Sequence, residues 1–257
     1  MIKTTLYILC VSLLLTCFAC EKEDPPAANY PLTFTFSHQV NGQALETNNL
    51  AYTNAAGNTF SVEKLQYIIS NIELVKANGD ILLIDDYHFI DIADQASLSF
   101  SPDTTLSKGD YKGIRLTFGL NEDQNTSGVY PELNALSWSW PDMLGGGYHF
   151  MKLEGKFEDN QGGISPFTTH MGTAREITAT DTLFHANHVD LILPEKAFTV
   201  GGATAIELIM DLGRWYDTPR TWNLDTLAVM IMPNYMAQKT LHENAHNVLS
   251  VGQINTH

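Results

Sequence analysis

Apolar and polar residues alternate with a period of two along much of this chain. Leu32-Thr33-Phe34-Thr35-Phe36 alternates cleanly, and so do Gly113 to Gly119, His149 to Glu154 and Ala205 to Leu212. Ile81 to Ile84 and His88 to Ile92 read as two short strands around Asp85-Asp86. Such alternation places one side of each strand in a core and the other toward water. Turn signals punctuate the runs: Asn41-Gly42, Ala56-Gly57-Asn58, Asn78-Gly79-Asp80, Lys108-Gly109-Asp110 and Gly162-Gly163. Many short strands with regular turns predict an all-β fold, an antiparallel β-sandwich forming a single domain over residues 31–235. Helical signals are few. Ser61-Val62-Glu63-Lys64-Leu65 reads as a short turn, and Asn234 to Val248 as a late helix, so residues 236–257 are expected to form a C-terminal helix or tail.

The start of the chain carries a different pattern. Lys3 precedes an uncharged apolar run from Leu6 to Leu15, too short to span a bilayer and suited to a signal-peptide core. Thr16-Cys17-Phe18-Ala19-Cys20 follows, and a small residue just before a cysteine resembles a bacterial lipobox. The expectation is a signal peptide over 1–19, lipidation at Cys20 and a flexible tether over 20–30 containing Pro25 and Pro26. Lys22-Glu23-Asp24 looks like the surface-export signal of some Gram-negative lipoproteins. The lipid would make the membrane a partner and the protein an outer-membrane lipoprotein facing the periplasm or the cell surface.

Composition narrows the chemistry. The three cysteines, Cys10, Cys17 and Cys20, all lie in or beside the leader, so neither disulfides nor thiolate metal ligands are available to the body of the protein. The charge is −15, from 14 Lys+Arg against 29 Asp+Glu. Phosphate backbones are repelled by so acidic a surface, and nucleic acid is not an expected partner.

Two constellations stand out. His242-Glu243-Asn244-Ala245-His246 has the H-E-x-x-H form, which on a helix sets two imidazoles on one face beside a glutamate, as in zinc hydrolases. Such a site needs a third ligand, and no acid follows Glu243. A polar helix with chance histidines is the simpler reading. The second is Trp138-Ser139-Trp140, then Gly145-Gly146-Gly147 and Tyr148 to Gly155. In a strand, Trp138 and Trp140 share a face, and His149, Met151 and Leu153 share one on the next. Ordinary core packing explains these residues as well. His38, His88, His170, His185 and His188 are scattered along the chain. With no cysteine present, imidazoles near a tryptophan–methionine cluster suit copper or zinc.

Four stretches together resemble the MbnP-like family of bacterial copper-binding proteins, named for a periplasmic member linked to methanobactin operons. They are Phe60 to Leu74, Gly113 to Asn125, Trp138-x-Trp140 with Gly147 to Gly155, and Phe167 to Gly172. The resemblance implies a β-sandwich binding one copper ion, with no enzymatic activity of its own. It also implies oxidation of one tryptophan of the W-x-W stretch to kynurenine by a di-haem peroxidase-like partner. By position Trp140 is the first choice for that residue and Trp138 the second. His88, His149 and His170 are the candidate copper ligands by their closeness to the matching stretches, with His38 next. A metal-free surface binding or adhesion module of the same fold is the alternative, and a zinc hydrolase through residues 242–246 the remoter one.

Overall fold

The computed structural model describes residues 28–257. The expected leader, Cys20 and most of the expected tether lie outside the described residues. Nine principal strands follow in order: β1 (Leu32–Val40), β2 (Thr59–Lys76), β3 (Ile81–Asp91), β4 (Gly109–Phe118), β5 (Met151–Glu158), β6 (Ile164–Met171), β7 (Val189–Ile192), β8 (Thr204–Asp211) and β9 (Leu249–Thr256). The main helix, α1, spans Tyr235–Ala245. The all-β expectation holds, with the strands divided between a large and a small principal sheet.

β2 is the spine of the larger sheet. Its first half pairs with β5, its second half with β4, and β3 runs along the opposite edge. β6 extends the sheet beyond β5, and β7 beyond β4. Residues 61–65, read as a turn, are part of β2 instead. Val62, Tyr67, Ile68, Ile69, Ile72 and Val75 give this segment the β-branched and aromatic content that suits a half-buried pleat. β3 is likewise one continuous strand rather than two, bulged against β2 at Ile72/Glu73.

The smaller sheet holds β9, β8 and β1. β8 lies parallel to β1, from Thr204 opposite Leu32 to Asp211 opposite Gln39, and β9 pairs antiparallel with β8. The C-terminal stretch expected as helix or tail is therefore a helix followed by an integral strand. At the other end, Asn29–Tyr30 pairs with Leu106–Ser107, inside the stretch read as a tether. Phe34 and Phe36 of β1, Ile206 and Leu208 of β8, and Leu65, Tyr67 and Ile69 of β2 belong to one buried core. α1 joins it through Ala237, Leu241 and Ala245.

The larger sheet forks at Ile68. Its N–H donates to the Phe150 carbonyl at 3.0 Å, and its carbonyl accepts from Gly119 N–H at 2.8 Å. β4 ends on one side of the fork and β5 begins on the other. The chain between them, residues 120–149, leaves the sheet and returns. Gly119 makes the exit possible: its φ is +88°, and a Cβ there would sit 2.5 Å from the Phe150 ring. This excursion covers the outer face of the sheet. Tyr67 to Ser70 are consequently buried in succession, with no polar side left between them.

Candidate metal centre

The W-x-W stretch lies in the excursion. It is not a strand, and a single bridge joins Ser139 to Tyr148. Trp138 and Trp140 are 0% and 1% exposed, yet both reach the same imidazole. The His149 ring lies 4.9 Å from Trp140, edge to face, and 5.5 Å from Trp138, between centroids. On its other side is His170, with the two imidazole centroids 5.4 Å apart.

Each member is placed by a different element. Trp140 lies against Gly172, where a Cβ would come within 2.5 Å of the indole, so any larger residue would push the ring away. Its Nε1–H donates to the Leu144 carbonyl at 3.2 Å. Trp138 rests edge-on against Phe89 of β3, with the Lys152 ammonium 4.5 Å above its ring. The Trp138 indole N–H is buried with no hydrogen-bond partner. His170 is opposite Lys152 across the β5–β6 ladder. Met151 and Leu153 face the core, whereas His149 precedes β5 and joins the outer cluster. The face shared by His149, Met151 and Leu153 in the sequence reading is therefore divided, because the strand begins two residues later than the alternation suggests.

Burial holds the His149 imidazole down at about 3, with the Lys152 charge acting in the same direction and the Trp138 carbonyl opposing it. Burial also lowers His170, against the opposing pull of Glu154. Both rings are thus neutral near pH 7 and able to donate lone pairs. His149 is 6% exposed. The His170 side chain keeps 16% exposure, so solvent reaches the cluster from its side. Glu154 Oε1 lies 2.9 Å from His170 Nε2, and Glu154 also pairs with Lys64 at 3.4 Å. The His170 carbonyl accepts from the buried Gln238 side chain of α1 at 2.7 Å, and Gln238 Oε1 accepts from Gly172 N–H at 3.2 Å.

The other two histidine candidates lie elsewhere. His38 Nε2 is 3.1 Å from the Tyr67 hydroxyl, beneath the opposite face of β2, and burial lowers it to about 4. His88 is stacked between Phe36 and Phe100, its Nε2 2.8 Å from the Ser97 carbonyl. Neither joins the tryptophan cluster. His242 of α1 and His246 just past its end do face one another at 5.7 Å. Glu243, however, is paired with Arg220 at 2.7 Å. Among the described residues no three His, Cys, Asp or Glu side chains converge as a metal site, at this motif or elsewhere.

Two imidazoles sharing one ion through bonds of about 2 Å have centroids roughly 5–6 Å apart, depending on the bond angle. The 5.4 Å between His149 and His170 falls in that range. The ring spacing is that of two imidazoles sharing one ion, with any further donor of another kind. Three conventional side chains are not assembled for one that requires them. Glu154 and Gln238 were missed in the sequence. Glu154 sits inside one of the matching stretches, diagonally across the ladder from His170, whereas nothing local marks Gln238.

The family model described as MbnP matches residues 29–235, the span that holds both tryptophans and both imidazoles of the cluster. The chain belongs to the MbnP family. Among solved structures, MbnP from Methylosinus trichosporium is similar in fold, with a TM-score of 0.57 at 14% identity, covering 88% of this chain and 99% of that one. No curated protein matches the chain. Family membership puts the chain in a copper-associated, methanobactin-related group and agrees with the β-sandwich, to which α1 and β9 add a segment beyond the matched span.

Proposed function

We propose that this protein is an exported, membrane-tethered lipoprotein that binds copper, without enzymatic activity, for metal acquisition or buffering. The observation that carries the reading is the meeting of His149 and His170 at 5.4 Å beside the paired indoles. Two neutral imidazoles suit Cu(I), and with oxygen or amine donors added they suit Cu(II). Oxidation of Trp140, or secondly Trp138, to kynurenine by a di-haem peroxidase-like partner would add an aromatic amine and a ketone where indole offers neither. Trp140 is the nearer ring to His149. In this reading Cys20 carries the lipid and the body faces the periplasm or the cell surface.

The test is metal analysis of natively purified protein, followed by anaerobic Cu(I) titration against a chromophoric competitor. One tightly held copper, lost in His149→Ala/His170→Ala, is the expected result. No uptake, or uptake indifferent to both substitutions, would overturn the reading in favour of a metal-free surface binding module. Peptide mass spectrometry of protein co-produced with the haem partner tests the modification: unmodified residues 138 and 140 would remove that part.

A further inference from the structure

The hydrogen bonds around the two imidazoles determine which nitrogen of each is free. His149 Nδ1 lies 3.0 Å from the Trp138 carbonyl. A carbonyl only accepts, so Nδ1 carries the proton and Nε2 keeps the lone pair. His170 Nε2 lies 2.9 Å from Glu154 Oε1. A carboxylate oxygen also only accepts, so here Nε2 carries the proton and Nδ1 keeps the lone pair. Metals bind the lone-pair nitrogen, and a metal-bound imidazole commonly passes its other N–H to a carboxylate or a carbonyl. Both arrangements are present side by side in this cluster before any ion arrives.

Glu154 is itself held. It stands on β5 opposite Thr168 and reaches diagonally to His170, while Lys64 of β2 lies 3.4 Å from both of its oxygens. The Gln238 bond to the His170 carbonyl fixes the backbone of the same residue from the far side. The ring is therefore positioned from three elements, β2, β5 and α1. Resting on the copper reading above, we infer that His149 Nε2 and His170 Nδ1 are the copper-donating atoms and that Glu154 is the positioning residue that selects the His170 tautomer. Glu154 acts through the imidazole and does not touch the ion. The Trp138 carbonyl does the same for His149, so the W-x-W backbone serves the site whatever becomes of its indoles.

Two measurements test this. Long-range 1H–15N correlation spectra of the metal-free protein at neutral pH report which nitrogen of each histidine is protonated. His170 is expected as the Nε2–H form and His149 as the Nδ1–H form, and the opposite tautomer at His170 would overturn the inference. Anaerobic competition titration with Cu(I) then compares the parent with Glu154→Ala and Glu154→Gln. Loss of an outer partner typically weakens metal binding about 10–100-fold, which is the effect expected for Glu154→Ala. Glu154→Gln keeps an acceptor oxygen at the same reach and should recover most of the affinity; it also serves if the alanine variant does not fold. Affinity unchanged in Glu154→Ala, with the parent binding copper, would sink the positioning role and leave the copper reading standing. Complete loss in both variants would make Glu154 a direct ligand and overturn the inference too. A parent that takes up no Cu(I) while showing the expected tautomers would bring down the copper reading, and the role of Glu154 with it.

Discussion

The two faces of the larger sheet use the same residue type to opposite ends. Beneath the sheet, His38 and His88 are enclosed singly, one against the Tyr67 hydroxyl and the other between two phenylalanines. Each has one polar partner and no second imidazole, and both are half-buried polar groups paired in place. Above the sheet, His149 and His170 touch each other and share the space with two indoles. Burial depresses all four rings. Neutrality alone therefore does not distinguish a ligand from a core histidine. Convergence separates the two pairs, and it comes from the excursion at the Ile68 fork, which brings His149 to His170.

The largest separation of the two faces should come from metal affinity. Replacing His149 and His170 by alanine should lower Cu(I) affinity by more than the ~10–100-fold associated with loss of an outer partner. His38→Phe and His88→Phe should leave affinity unchanged in the same competition titration. Copper loss in an inner-face variant would break the comparison. Next in size is Gly172→Val, whose side chain enters the space of the Trp140 ring. Overpacking of this kind destabilises by about 1–3 kcal/mol, and here it should weaken copper binding as well. Chemical unfolding and titration read the two effects separately. His38→Phe should destabilise by about 1–3 kcal/mol through the buried Tyr67 hydroxyl left without its partner, with no effect on copper.

Acid titration addresses both faces together. His149 binds its proton near 6.5 in the unfolded chain and only near about 3 in the fold. The unfolded chain thus binds more protons in that window, so stability falls as pH drops through it. His38, lowered to about 4, acts with the same sign. Urea midpoints between pH 4 and 7 should show this loss, and His149→Phe should flatten the profile relative to the parent. The smallest effect belongs to Lys152→Met. Removing the ammonium above Trp138 should change stability by no more than about 0.5–1 kcal/mol at this half-exposed position and shift the indole fluorescence.

Much of the fold was legible because the core strands follow the simple rule of period two. β1 and β8 alternate as their sequences alternate. The reading failed where both faces are covered. From Tyr67 to Ser70 the excursion buries the outer side chains, so alternation vanishes although the strand continues. β9 was hidden for another reason: Leu249 to Thr256 has few large apolar residues, and its place is set by pairing with β8. At the site, local sequence marked the indoles and His149 as a group. His170 entered through a separate stretch, and the ladder that brings the two together is a non-local pairing. The same distance in sequence made His38 and His88 look equal to it, since nothing along the chain says on which side of the sheet an imidazole emerges.

The parallel pairing of β1 with β8 has a consequence for the order of assembly. β1 is the first long strand to leave the ribosome, yet its neighbour from Thr204 to Asp211 arrives only after most of the domain has been synthesised, and β9 later still. Topologies built on such distant partners close slowly. The smaller sheet can therefore close only once β8 has been synthesised, so the two ends of the polypeptide are locked into the fold together and last.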